Sequence, residues 1–161
     1  MTRLNTTYLG MKLRSPIVVS ACTLSEEVDN IVRMEDAGAG AVVMFSMFEE
    51  QIRKEEMRME AIMQSTNNVF AEASDFFPDL DEYHVATAQY LETVRMAKER
   101  VKIPIIGSLN GITPKGWIDY AKQLEQAGAD ALEVNIFYIP ADIRLSGVEV
   151  EQRYLDIIKL V

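Results

Sequence analysis

Leu124-Glu125-Gln126-Ala127-Gly128-Ala129-Asp130-Ala131-Leu132-Glu133-Val134-Asn135 runs from the end of an amphipathic helix, through an Ala-Gly-Ala turn, into a short apolar strand. The same pattern stands earlier in the chain as Met34-Glu35-Asp36-Ala37-Gly38-Ala39-Gly40-Ala41-Val42-Val43. Small residues at such a joint let a helix and the following strand approach closely, and the glycine closes the helix. A joint that occurs twice, each time ahead of a buried strand, predicts an α/β chain with a parallel sheet covered by helices, either an open sheet or a barrel.

Working outward from these joints, four βα units emerge. Ile17-Val18-Val19-Ser20-Ala21 reads as a first strand, followed by a helix that Ser25 would cap and that carries Val28, Ile31 and Val32 as its inner stripe. Ala41–Phe45 is the second strand, and the second helix runs from Tyr83 to Arg100 with Thr87, Tyr90, Leu91, Val94 and Ala97 on one face. Ile103–Leu109 is the third strand. Thr113-Pro114 starts a third helix with the stripe Trp117, Ile118, Ala121 and Leu124. Ala131–Ile136 is the fourth strand, and a last helix begins near Gly147. The chain ends inside that periodic pattern, so the expectation is one domain over 1–161, truncated within its fourth helix.

Helix-to-strand joins are short, whereas residues 46–82 separate the second strand from its helix. Short connections on one face and long ones on the other are the habit of barrel enzymes, whose sites lie at the strand C-termini. The residues near those ends are Ser20, Ala21, Cys22 and Thr23, then Ser46, then Ser108, Asn110 and Gly111, then Asn135 and Tyr138. They are small, neutral and hydrogen-bonding, a set suited to a flat polar heterocycle and not to a divalent metal. Glu133 shares the face of Asn135 by strand alternation, where it either joins the barrel interior or bonds a neighbouring strand. Cys22 has no cation beside it in sequence and reads as a small packing residue; His84 reads as a surface residue opening a helix. The stretch Phe48–Gln64 reads as a charged, Met-rich helix, and Asn67-Asn68 with Phe70, Phe76 and Phe77 as a lid over substrate.

Composition narrows the classes. With 25 acidic and 16 basic side chains the net charge is −9, which argues against a nucleic-acid partner. One cysteine and one histidine leave no intrachain disulfide, no zinc site built from several thiolates and no two-histidine metal motif. No run approaches the length of a membrane span and no signal peptide opens the chain, so the expected location is cytoplasmic.

Taken together, Thr6-Thr7-Tyr8-Leu9-Gly10-Met11-Lys12-Leu13-Arg14-Ser15-Pro16-Ile17, the first Ala-Gly-Ala joint, Ser108-Leu109-Asn110-Gly111 and Ala127–Asn135 resemble the dihydroorotate dehydrogenase family, in particular its dihydroorotate dehydrogenase-like branch. The resemblance implies a (βα)8 TIM-barrel fold. An N-terminal hairpin and about four βα units here would make the N-terminal half of that barrel. It also implies an FMN-dependent oxidoreductase that oxidises a CH–CH bond to C=C, with hydride passing to the flavin, in pyrimidine biosynthesis. Carried over position by position, Ser20, Ala21, Cys22, Ser46, Asn110 and Asn135 would bind the cofactor, and Asn67 or Asn68 the substrate. Two positions depart from the family pattern. Phe45 replaces the lysine ahead of the strand-two serine, and Tyr138 stands where the family carries its Cys or Ser base. The partners expected are a small-molecule substrate and further copies of the chain. The alternative is a catalytically inactive half-barrel that associates with itself or with a partner.

Overall fold

The computed structural model describes residues 4–50, 54, 57, 85–111 and 114–160. Strands β1 (Thr6–Tyr8) and β2 (Met11–Leu13) form an antiparallel hairpin. Leu9 and Gly10 connect them, both at positive φ, as a two-residue turn matched to strand twist demands. Then come β3 (Val18–Val19), a 3-10 turn (Thr23–Glu26), α1 (Val28–Asp36), β4 (Ala41–Phe48), α2 (Val85–Arg100), β5 (Ile105–Gly111), α3 (Pro114–Gln126), β6 (Ala131–Ile136) and α4 (Gly147–Leu160).

The four strands β3-β4-β5-β6 pair in parallel, and their order in the sheet is their order in the chain. An open doubly wound sheet reverses direction at a switch point; a sequential parallel order is that of the first strands of a barrel. The helix-facing side of the sheet carries the main core, with Ile31 of α1, Tyr90, Val94 and Ala97 of α2 and Leu124 of α3 packed on Val42, Met44, Ile105 and Leu109. The opposite, inner face carries a smaller cluster of Leu13, Ala41, Val43 and Ile106, with Val18, Ala21 and Ala131 against it. The two faces follow from strand alternation.

Both Ala-Gly-Ala joints close in the same way. The amides of Ala37, Gly38 and Ala39 donate to the carbonyls of Arg33, Glu35 and Met34, and those of Ala127, Gly128 and Ala129 to Gln123, Glu125 and Leu124. Gly38 and Gly128 take φ of +100° and +96°, the left-handed turn that glycine adopts at little cost. One residue further, Gly40 N–H donates to Ile17 O and Asp130 N–H to Ile105 O, tying each joint to the strand beside it. Arg14 adds a cap, its guanidinium donating to the carbonyls of Glu35 and Ala39 at the end of α1.

Several expected boundaries move. The first strand is confined to Val18–Val19, so Ser20, Ala21 and Cys22 lie just beyond it. Ser25 does not cap α1: it is buried in the 3-10 turn with its hydroxyl on Cys22 O, and Glu27 precedes the helix. β4 runs three residues past Phe45, and β5 covers Ile105–Gly111 instead of Ile103–Leu109. Ser46 and Asn110 are therefore inside strands, held by ladder pairs that polar side chains do not announce. Val101 and Ile103 are buried in the turn ahead of β5, so their apolar character reports the core and not a strand. Asn67, Asn68, Phe70, Phe76, Phe77 and His84 lie outside the described residues.

Candidate functional site

Parallel pairing sets residues of equal height side by side, and near the C-terminal ends of the strands the inner face turns polar. Ser46, Ser108 and Glu133 form one rung, and Phe48, Asn110 and Asn135 the next. Below them lie the apolar residues Val43, Ile106 and Ala131, which seal that end of the face.

The lower polar rung is a hydrogen-bonded chain. Ser108 Oγ donates to Glu133 Oε1 at 2.8 Å, and Ser46 Oγ lies 2.9 Å from Ser108 Oγ. Ser108 is fully buried, Ser46 half-buried and Glu133 exposed on the open face. In the upper rung Asn110 is 9% exposed, and its Oδ1 is buried with no hydrogen-bond partner among the described residues. A buried acceptor left unpaired costs about 1–3 kcal/mol, which sets this atom apart from the satisfied polar groups of the rung below. Asn135, beside it, is exposed.

Behind this face β4 shifts register between Val43 and Ser46. Tyr90 of α2 fills the irregularity, its hydroxyl accepting from Ser108 N–H at 3.0 Å and donating to Ser108 O at 3.3 Å. Burial pushes this phenol up to about 12, with the bond to the Ser108 backbone opposing and the Glu133 charge adding to the rise. The shift also turns Phe45 to the helix side, where its ring meets Tyr90 edge-on at 4.7 Å between centroids. Phe45 thus packs in the main core, away from the polar rungs.

Of the residues expected at the site, Ser46, Asn110 and Asn135 come together on these rungs. Ser20 lines a cavity of about 780 Å³ that extends along the inner face from the β1–β2 hairpin (Thr6, Tyr8, Leu9) past Val18 and Ile106 to Glu133. Ala21 packs at the edge of the inner cluster, and Cys22 is a half-buried free thiol. Tyr138 engages α4: the Arg153 guanidinium sits 4.2 Å from its ring centroid, and Tyr154 OH donates to its carbonyl at 3.5 Å. Ser108, read as one of the strand-end residues, and Glu133, read as sharing the face of Asn135 or bonding a neighbouring strand, are joined across β5 and β6, whereas Tyr90 was read only as a core position on its helix. The i, i+2 spacing of Ser108 with Asn110 and of Glu133 with Asn135 was the available signal for the first two; nothing local signals Tyr90, whose role arises from the register shift. Among the described residues no group of three His, Cys, Asp or Glu side chains gathers to hold a metal, and no helix is long and apolar enough to cross a membrane.

Over 136 residues the chain is 24% identical to the catalytic subunit of dihydroorotate dehydrogenase B (NAD(+)) of Thermoplasma acidophilum. The likeness is to dihydroorotate dehydrogenase. It is distant and partial: the match takes in 84% of this chain and 42% of the length of that relative. Among solved structures, a Pseudomonas aeruginosa protein described as a dihydrodipicolinate synthetase superposes with a TM-score of 0.48 at 19% identity, over 90% of this chain and 42% of the other. No protein-family model matches the chain.

Proposed function

We propose that this chain supplies one half of the ring-binding face of an FMN-dependent oxidoreductase of the dihydroorotate dehydrogenase kind. The observation that carries the reading is the buried, unpartnered Asn110 Oδ1, set at the C-terminal end of a sequential parallel sheet beside Asn135. An isoalloxazine ring offers a polar edge with an N–H donor, and the neutral residues of the two rungs fit such an edge. Ser20, Ala21 and Cys22 are small enough for a flat ring to lie close to the backbone after β3. FMN, when bound, supplies hydride-accepting chemistry for the conversion of CH–CH to C=C.

The chain's own part is to bind and orient. Asn110 Oδ1 accepts from the ring edge, Asn135 gives and accepts beside it, and Ser46 completes the polar wall. Tyr138 holds the position from which a substrate proton is taken, and Asn67 or Asn68 contacts the substrate. The substrate is stated as a class, a small molecule with vicinal C–H bonds, because Phe45 and Tyr138 replace the family's lysine and base. By the same resemblance the reaction belongs to pyrimidine biosynthesis. A second reading, an inactive half-barrel that associates with itself or a partner, is favoured by the exposed apolar residues around the β6 end of the sheet, Phe137 and Ile139 among them.

Titration of the chain with FMN, followed by quenching of flavin fluorescence, tests the first reading. Asn110→Leu should weaken binding about 5- to 150-fold, the equivalent of a lost buried hydrogen bond. Unchanged affinity in that variant, with the fold intact by circular dichroism, would overturn the placement of the site.

A further inference from the structure

The direction of the hydrogen bonds in the Ser46–Ser108–Glu133 rung is fixed by its carboxylate end. Ionised Glu133 only accepts, so the 2.8 Å contact spends the Ser108 hydroxyl proton on Glu133 Oε1. Ser108 Oγ, buried and already donating, then meets Ser46 as an acceptor. The 2.9 Å contact therefore spends the Ser46 proton on Ser108. What Ser46 has left to offer the open side of the sheet is lone pairs. One rung higher, Asn110 Oδ1 is an acceptor without a partner.

From this we infer that Glu133 is a positioning residue. Acting through Ser108, it makes Ser46 an obligate acceptor, so that the wall formed by Ser46 and Asn110 selects ligands whose facing edge carries N–H donors and rejects those whose edge carries acceptors or methyl groups. The inference rests on the ring-binding reading above and gives that site its polarity. Selection of this kind is strong because a ligand lacking the donor leaves a desolvated acceptor unpaired. Replacing Glu133 by glutamine ends the constraint: the glutamine amide can donate to Ser108 Oγ, both hydroxyls can reverse, and Ser46 can then donate.

The probes are lumiflavin, which has the ring and no phosphate, and 3-methyl-lumiflavin, which lacks only the N3–H donor. Binding to the chain is followed by fluorescence quenching. The wild-type chain should prefer lumiflavin by about tenfold or more. Glu133→Gln should bring the two affinities several-fold closer while leaving the circular dichroism spectrum unchanged. Ser46→Ala, at a half-buried position, should reduce the preference by a similar factor and serves if Glu133→Gln does not fold. Wild-type preference in folded Glu133→Gln, or in Ser46→Ala, would overturn the role of Glu133 while leaving the ring site standing. Absence of any lumiflavin binding to the wild-type chain would overturn both.

Discussion

Burial raises the Tyr90 phenol to about 12, whereas a tyrosine in an unfolded chain ionises near 10. Below pH 10 both states are neutral and the contribution of Tyr90 to stability is complete. Between pH 10 and 12 the unfolded chain gives up its proton and the folded one does not, so stability falls through that window, by about 2–3 kcal/mol at its end. Tyr90→Phe should flatten this alkaline fall. It should also cost about 1–3 kcal/mol at neutral pH, because Ser108 N–H loses the acceptor that fills the irregularity in β4. Urea unfolding at pH 7 and pH 11 reads both effects. A variant as stable as wild type at pH 7 would show that the phenol does not hold the site-bearing strand. The same residue explains part of what the sequence left hidden. Tyr90 was legible as a core position on its helix, but its bond to the strand depends on a register shift that no local pattern encodes.

At the scale of elements, the first Ala-Gly-Ala joint needs its two glycines for different reasons. Gly38 needs it for its φ of +100°, and a methyl group added there meets nothing within 4 Å. Gly40 needs it for space, since a Cβ would lie 2.0 Å from the backbone carbonyl oxygen of Ser15. Gly38→Ala should therefore cost about 1–2 kcal/mol of left-handed strain. Gly40→Ala should cost more, because the segment leading into β3 must move away from β4. Thermal unfolding ranks the two, and the reverse order would contradict the close approach. These joints were readable because small residues at a helix end have few other uses, and the apolar run Ala131–Ile136 was read with its observed limits. The limits of β4 and β5 were not readable. Serine, asparagine and glycine resemble a strand's end, yet pairing of Ser46 with Ser108 and of Asn110 with Asn135 carries both strands onward. That Ser46, Asn110 and Asn135 stand near the C-terminal ends of their strands was thus legible, while their setting, on rungs inside the sheet, was not.

For the whole molecule the deciding feature is a four-stranded parallel sheet in barrel order. Among the described residues β3 and β6 each pair on one side only. Around the β6 end, Phe137, Ile139, Ile143 and Val148 are 64–99% exposed, and Leu155 and Ile158 continue an apolar stripe along α4. Open strand edges and apolar surface of this kind drive association. Against it stands the net charge of −9 per chain, whose repulsion between copies is screened by salt. Self-association of the chain should accordingly strengthen as ionic strength rises, which sedimentation across a salt series measures. A monomer at every salt concentration would mean that the exposed face is covered from within. The cofactor reading makes a linked prediction. Barrels of this type take a ligand's phosphate from loops after strands seven and eight, whereas the rungs described here are neutral apart from Glu133. The ring should then contribute nearly all of the affinity of this chain, with FMN and lumiflavin binding about equally and weakly. Markedly tighter binding of FMN by the chain alone would place a phosphate site within these 161 residues and overturn the division of the site between two halves of a barrel.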